Sequence, residues 1–116
     1  MSYSFAVVDD DSLLRELIER ELEQSFECRI TEYENGADAL DRIPGEDFDL
    51  VIVDDRMPMI DGHEMVKRLR SRGVRVPVIM LSNAPESEDR GRAAGITDFL
   101  YKAHLHQLPE LVRKWI

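Results

Sequence analysis

Residues 50–54 read Leu-Val-Ile-Val-Asp, a run of four apolar residues that ends on a carboxylate. A strand that is apolar on both faces is typical of the centre of a parallel sheet, because helices cover both sides of such a sheet. Similar short apolar runs recur along the chain and alternate with helical patterns. We therefore predict five strands, over residues 5–8, 28–33, 50–53, 78–81 and 99–101.

The segments between the predicted strands have the spacing of apolar residues that amphipathic helices show. In the first of them, Ser12 is the predicted N-cap. The apolar residues expected on its buried face are Leu13, Leu14, Leu17, Ile18 and Leu22. The fourth helix, near residues 86–94, has few apolar residues and contains Gly91, so we expect it to have low intrinsic stability. The residues expected to pack from the last helix are Leu111, Val112 and Trp115.

Five strands that alternate with helices through short connections indicate a single α/β domain over residues 1–116. Because crossovers between parallel strands are right-handed, we predict a flavodoxin-like, doubly wound sheet of five parallel strands, in the order 2-1-3-4-5, with five helices. Ligands bind beyond the carboxyl ends of the strands in such sheets. The residues at those ends are Asp9, Asp10, Asp54, Ser82 and Lys102.

The composition narrows the classes of function. The 116 residues include 24 acidic and 15 basic side chains, which give a formal net charge of −9. Such an acidic surface repels phosphate backbones, so we expect no direct nucleic-acid binding by this chain. No apolar stretch approaches the roughly 20 residues that span a bilayer. With no secretory signal at the N-terminus and Cys28 as the only cysteine, we expect a soluble protein of the reducing cytoplasm.

The carboxylates at the predicted sheet edge repel one another, by roughly 4 kcal/mol for a close pair at an effective dielectric constant of about 20. They require a cation or raised pKa values, and oxygen ligands without thiolates suit a hard ion such as Mg²⁺. Lys102 would add a positive charge and Ser82 a hydroxyl donor. These groups together are what phosphoryl transfer to an aspartate needs. The neighbouring Asp11 and Asp55 are expected to be solvated carboxylates, although Asp11 could also support the metal site.

Four segments of the sequence resemble the receiver domains of two-component response regulators. The segments are Val7-Val8-Asp9-Asp10-Asp11-Ser12, Val53-Asp54-Asp55-Arg56-Met57-Pro58-Met59-Ile60-Asp61-Gly62, Val78-Ile79-Met80-Leu81-Ser82 and Phe99-Leu100-Tyr101-Lys102. They occur in the family's order, with family-like spacing, and cover essentially the whole chain. The resemblance implies a phosphorylated switch rather than an enzyme.

The resemblance also implies a ligand set and a phosphate donor. Asp10 would bind Mg²⁺ directly and Asp9 through water, with Asp54 and the backbone carbonyl of Arg56 as the other protein ligands. Asp54 would accept the phosphoryl group from a phosphohistidine on a sensor histidine kinase or a histidine phosphotransfer protein.

Three further residues take part in the switch that the resemblance implies. Ser82 would hydrogen-bond a phosphoryl oxygen and move on activation. Lys102 would pair with Asp54 or with the phosphoryl group. Phe99 matches the aromatic position whose rotamer follows that movement. The fourth helix, fifth strand and fifth helix form the expected output face, for a downstream protein that the sequence does not identify.

Two positions depart from the family's pattern. The residue after the family's lysine is usually a proline in a cis peptide bond, but here it is Ala103. We predict a trans Lys102–Ala103 bond, because a cis bond at a non-proline residue costs about 2.5–4 kcal/mol. The residue after Ser82 is usually alanine or glycine, but here it is Asn83. With Arg56 on the facing loop, this side chain is expected to shield the phosphoryl group.

Two other functions stay open at this point. A phosphatase of the haloacid dehalogenase type also uses an aspartate nucleophile, Mg²⁺ and a lysine. It needs a second aspartate two positions after the nucleophile, where this chain has Arg56. An adaptor that binds partners independently of phosphorylation would keep the fold, although the full set of acidic, hydroxyl and lysine residues argues against it. The sequence also leaves open the cognate kinase and whether the chain is a stand-alone regulator or part of a longer one.

Overall fold

The computed structural model describes residues 2–116 and contains, within them, five strands, five α-helices and two 3-10 segments. The strands are β1 (Tyr3–Val8), β2 (Cys28–Tyr33), β3 (Leu50–Asp54), β4 (Val78–Ser82) and β5 (Asp98–Tyr101). The helices are α1 (Ser12–Glu23), α2 (Gly36–Arg42), α3 (Gly62–Ser71), α4 (Ser87–Ala94) and α5 (Leu108–Arg113). The 3-10 segments are Ile43–Gly45 and Lys102–Gln107.

The strands form one parallel sheet in the order β2-β1-β3-β4-β5. This confirms the predicted doubly wound architecture, in which a reversal of strand order places a crevice beside β1 and β3. The register aligns Val8 with Val53, so the residue after β1 and the last residue of β3 lie side by side. Ser82 at the end of β4 is aligned with Tyr101.

Side chains of β3 alternate between two apolar layers, one on each face of the sheet. Val51 and Val53 pack in the layer that contains residues of α2 and α3. Leu50 and Ile52 pack in the opposite layer with residues of α1 and α5. Burial on both faces explains why this strand lacks polar residues until Asp54, which lies at the edge where ligands bind.

The start of α1 corrects one sequence prediction. Asp11 is the N-cap, and its carboxylate accepts hydrogen bonds from the backbone N–H groups of Leu13 and Leu14. Ser12 is the first residue of the helix. An aspartate cap satisfies free N–H groups and places negative charge at the positive end of the helix. Asp11 therefore has a structural role.

The buried face of α1 is narrower than the sequence predicts. Ile18 and Leu22 are fully buried, whereas Leu13 is 62% and Leu17 is 38% exposed. Arg15 occupies the buried stripe, where its guanidinium donates to the backbone oxygen of Asp9. Arg15, whose guanidinium has a hydrogen-bond acceptor, thus takes the place of an apolar side chain on this buried face.

Gly91 lets α4 lie close to the sheet. A Cβ atom there would lie 2.7 Å from Cδ1 of Ile96 and 3.2 Å from the sulfur of Met80. The glycine thus has a packing role in addition to its low helix propensity.

In the last helix, Val112 is buried as predicted, but Trp115 lies beyond the end of α5 and is 42% exposed.

Two further observations concern the backbone and the helices. The Lys102–Ala103 peptide bond is trans, which confirms the prediction made for a lysine followed by alanine. None of the helices in residues 2–116 has the length and apolar character needed to cross a membrane.

Candidate functional site

Three carboxylates meet where β1 and β3 end. Asp9 and Asp54 are buried and Asp10 is exposed, and one oxygen from each lies within 4.8 Å of the others. Asp9 directly follows β1, and Asp54 is the last residue of β3. The parallel register of these two strands brings the three side chains together.

Lys102 supplies the positive charge at this edge. Its Nζ lies 2.7 Å from Oδ1 of Asp54 and forms an ion pair with it. Burial lowers the pKa of Lys102, but its contact with Asp54 and the charges of Asp9 and Asp55 raise it above its ordinary value. The lysine therefore stays charged at neutral pH.

The carboxyl group of Asp54 is harder to ionise than that of an ordinary aspartate. Burial raises its pKa, the contact with Lys102 lowers it, and the charge of Asp9 raises it again, to about 6. Burial also raises the pKa of Asp9. Lys102 neutralises only part of the negative charge at this edge, because Asp9, Asp54 and Asp55 all act on its one ammonium group.

One oxygen of Asp9 shows that the site fits a cation. Oδ1 of Asp9 accepts from the backbone N–H of Asp11 at 2.9 Å, but Oδ2 is buried without a hydrogen-bond partner. A buried carboxylate oxygen without a donor is costly. Three clustered carboxylates without thiolate or imidazole are the donor set of a hard divalent ion.

A cleft of about 270 Å³ opens beside Lys102. It is lined by Asp55, Arg56, Ser82, Asn83, Ala84 and Lys102. Arg56 and Asn83 face it from two loops and are both exposed. Their shielding of a phosphoryl group stays a prediction. The carbonyl of Arg56 as a metal ligand stays a prediction.

Asp55 corrects the sequence prediction of a solvated carboxylate. It is 3% exposed, and its Oδ2 accepts hydrogen bonds from Oγ of Ser82 at 2.6 Å and Oγ of Ser87 at 2.7 Å. Burial raises the pKa of Asp55, but these two hydroxyl donors and the charge of Lys102 outweigh it, so the pKa lies below its ordinary value. Asp55 therefore stays ionised.

The loop after β3 fixes Asp55 in this position. The backbone N–H of Gly62 donates to the backbone oxygen of Asp55 at 2.9 Å, and a Cβ atom on Gly62 would collide with the backbone oxygen of Asp54. No sequence signal marks this burial, because the two serines that bind Asp55 lie 27 and 32 positions away in the chain.

Phe99 lies on the strand next to Ser82 but not opposite it. It is aligned with Met80, it is 9% exposed, and its ring packs edge-on against Tyr101 with 5.2 Å between ring centroids. The sheet therefore places Tyr101, rather than Phe99, directly beside Ser82. The role of Phe99 as a rotamer switch stays a prediction.

The sequence profile of the family described as "Response regulator receiver domain" matches residues 5–113. The chain belongs to this family. The receiver domain is a signalling domain. The strand order of the sheet and the cluster of three carboxylates agree with membership of this family.

Relatives and solved structures support the assignment. Response regulator MprA of Mycobacterium bovis (strain BCG / Pasteur 1173P2) is 37% identical over 105 residues, which cover 88% of this receiver domain and 45% of that protein. The chain thus spans less than half the length of this relative. The Vibrio cholerae chemotaxis protein CheY4 has a TM-score of 0.88 and 26% identity, with all of both chains covered. A structure of the BeF3-activated DrrB receiver domain has a TM-score of 0.83 and 28% identity, with 99% of this chain and 97% of that chain covered.

Proposed function

We propose that this receiver domain accepts one phosphoryl group on Asp54 from a phosphohistidine donor, and that residues 1–116 act as one unit. The observation that carries the proposal is the environment of Asp54. Its buried carboxylate lies 2.7 Å from the ammonium group of Lys102 and in one cluster with Asp9 and Asp10. A nucleophile with an adjacent cation at a strand end fits phosphoryl transfer, which depends chiefly on positioning and charge neutralisation.

In the proposed reaction, a carboxylate oxygen of Asp54 attacks the phosphorus atom of the donor. The new O–P bond forms as the P–N bond to histidine breaks, and the ring nitrogen keeps the electron pair of the broken bond. The ring leaves as neutral imidazole when its other nitrogen carries a proton. Lys102 then pairs with an oxygen of the phosphoryl group, and the exposed Arg56 and Asn83 restrict the approach of water.

We propose Mg²⁺ as the cofactor, held by Asp9, Asp10 and Asp54 together with the backbone carbonyl of Arg56. The unpartnered Oδ2 of Asp9 and the repulsion among the three carboxylates support this assignment. When bound, the ion supplies positive charge for the phosphoryl oxygens. Lys102 supplies the charge on the β5 side of Asp54.

Signalling is proposed to pass from Asp54 to the face formed by α4, β5 and α5. Ser82 would donate to a phosphoryl oxygen, and Phe99 would change rotamer as Ser82 moves. The donor is proposed to be a sensor histidine kinase or a histidine phosphotransfer protein, and the target a downstream protein. The free thiol of Cys28 supports the cytoplasm as the compartment.

Intact-protein mass spectrometry after incubation with acetyl phosphate and Mg²⁺ tests the proposal. Wild type is expected to gain the mass of one phosphoryl group, and Asp54→Asn is expected to gain none. Asp41→Asn, which removes an exposed carboxylate of α2, is the matched control and should behave as wild type. An unchanged wild-type mass would contradict the proposal. Sustained turnover of p-nitrophenyl phosphate would instead favour a phosphatase.

A further inference from the structure

Asp55 receives two hydroxyl groups on one oxygen in a buried setting. Its Oδ2 accepts from Ser82 at 2.6 Å and from Ser87 at 2.7 Å, and all three residues are at most 5% exposed. We call these residues the Asp55 cluster. Hydrogen bonds from hydroxyls to a carboxylate are short and about twice as strong as neutral ones. Burial strengthens them further.

The hydroxyl of Ser82 is already used in this arrangement. A serine hydroxyl has one proton to donate, and Ser82 directs it to Asp55 at a length typical of a strong bond. Its oxygen accepts from the backbone N–H of Ala84 at 2.9 Å. Ser82 therefore has no proton for a phosphoryl oxygen until it leaves Asp55.

Ser87 links the same oxygen to α4. It is the first residue of that helix, and its backbone oxygen lies 3.2 Å from Nε2 of the buried His63 on α3. Ser87 is thus held from two sides, by Asp55 and by His63. Because Ser82 and Ser87 share Oδ2 of Asp55, removal of one donor strengthens the bond that the other makes.

We propose that Asp55 is a positioning residue that holds the Ser82 hydroxyl away from the phosphoryl group until Asp54 is phosphorylated, and that it ties this change to the start of α4 through Ser87. The inference rests on the proposed function of Asp54 and Ser82 and deepens it. In the resting domain, Ser82 donates to Asp55. In the phosphorylated domain, Ser82 donates to a phosphoryl oxygen and Asp55 keeps Ser87 alone.

The test measures the affinity for beryllofluoride, a stable mimic of the phosphoryl group, by fluorine NMR in the presence of Mg²⁺. Asp55→Asn keeps the shape of the side chain but removes its charge, so Ser82 is released more easily. We expect beryllofluoride to bind about 3- to 10-fold more tightly to this variant. A purely structural role of Asp55 would weaken binding instead.

A double-mutant cycle separates the action through Ser82 from the general effect of charge. In a Ser82→Ala background, Asp55→Asn is expected to leave the affinity unchanged, because there is no hydroxyl to release. In a Ser82→Thr background, which restores a hydroxyl, the gain is expected to return. A gain of the same size in Ser82→Ala would show that Asp55 acts by its charge on the anion and would overturn the proposal.

Ser87→Ala provides a second test with the opposite sign. Without Ser87, Ser82 is the single hydroxyl donor to Asp55 and is held more strongly. We expect about 2- to 5-fold weaker binding of beryllofluoride. Hydrogen exchange of the first turn of α4 is also expected to respond to beryllofluoride in wild type and to respond less in Ser87→Ala. Tighter binding or an unchanged response of α4 would overturn the proposal.

The outcomes distinguish this inference from the function on which it rests. If wild type binds beryllofluoride and Asp54→Asn does not, the proposed function stands and the cycle decides the role of Asp55. If wild type does not bind, the proposed function and this inference are both overturned. Thermal melts of each variant identify a loss of folding, and in that case the Ser87→Ala result decides.

Discussion

The Nζ atom of Lys102 lies 2.7 Å from Oδ1 of Asp54, although 48 positions separate these residues in the chain. The parallel register of β3, β4 and β5 brings them together, since Lys102 directly follows β5 and Asp54 ends β3. The pair places an ammonium group beside the buried carboxylate that we propose as the nucleophile. It also limits how far burial raises the pKa of that nucleophile.

Removal of this lysine is expected to raise the pKa of Asp54 above about 6. The Lys102→Ala variant leaves the carboxylate buried beside Asp9 with no cation, so its ionised form becomes less stable. Carbon-detected NMR titration in the absence of Mg²⁺ measures the change. Lys67→Ala, on the exposed side of α3, is the control. A lower pKa in Lys102→Ala would contradict the electrostatic account of the site.

In the absence of Mg²⁺, the free energy of unfolding is expected to increase as the pH falls, because folding raises the pKa of Asp54. Its pKa is about 6 in the fold against an ordinary value of 3.8. Between these two values the folded state binds a proton that the unfolded chain does not bind. The stabilisation therefore develops as the pH falls through 6 and is complete near 4. Its size is on the order of 1–3 kcal/mol.

Urea unfolding in EDTA at about pH 7.5 and about pH 5 measures this effect. In Asp54→Asn the contribution is absent, so the variant is expected to be more stable than wild type at the higher pH and to show a smaller change with pH. Equal pH dependence in the two proteins would contradict the raised pKa.

Mg²⁺ affinity is expected to fall by about tenfold or more when either non-nucleophilic carboxylate is neutralised. Asp9→Asn and Asp10→Asn each remove the charge of one proposed ligand, whereas Asp11→Asn changes only the cap of α1. Isothermal titration calorimetry at neutral pH compares the three variants. Weaker binding in Asp11→Asn than in Asp9→Asn would contradict the assigned ligand set.

Gly91→Ala is expected to destabilise the domain by about 1–3 kcal/mol, although alanine favours helices. The added Cβ would lie 2.7 Å from Cδ1 of Ile96, so this buried side chain must shift to make room. Gly45→Ala is the control, because a Cβ there meets nothing within 4 Å. Chemical denaturation measures both, and a stabilised Gly91→Ala would show that α4 packs less closely than described.

Asn83→Ala is expected to shorten the lifetime of phosphorylated Asp54. Asn83 and Arg56 line the cleft beside Lys102, so truncation of one of them opens a path for water. Release of inorganic phosphate from the purified phosphorylated protein gives the half-life. A longer half-life than wild type would show that Asn83 does not shield the phosphoryl group.

The sequence was sufficient to predict the sheet and which strand-end residues lie together, because both follow from strand periodicity. The run over residues 50–54 identifies a central strand, and parallel order then gathers the residues at the strand ends. The helix caps and the exposure of individual side chains at the surface could not be predicted in the same way. Asp11 and Ser12 are both good N-caps, and only the backbone geometry selects Asp11.

Asp55 shows why the rest of the site required coordinates. One residue after a strand, a side chain can point to solvent or into the protein, and sequence alone does not choose between them. Its burial depends on the hydroxyls of Ser82 and Ser87, of which the second lies 32 positions away. Hydrogen bonding between short polar side chains leaves no periodic pattern that a reading of one sequence can detect.

The central claim is that Asp54 itself carries the phosphoryl group, and borohydride reduction followed by peptide sequencing tests it most directly. Borohydride converts an aspartyl phosphate into homoserine at the modified position. After treatment with acetyl phosphate and Mg²⁺, homoserine is expected at position 54 and at none of the neighbouring carboxylates. Homoserine at Asp9, Asp10 or Asp55, or its absence from a protein shown to be phosphorylated, would contradict the account.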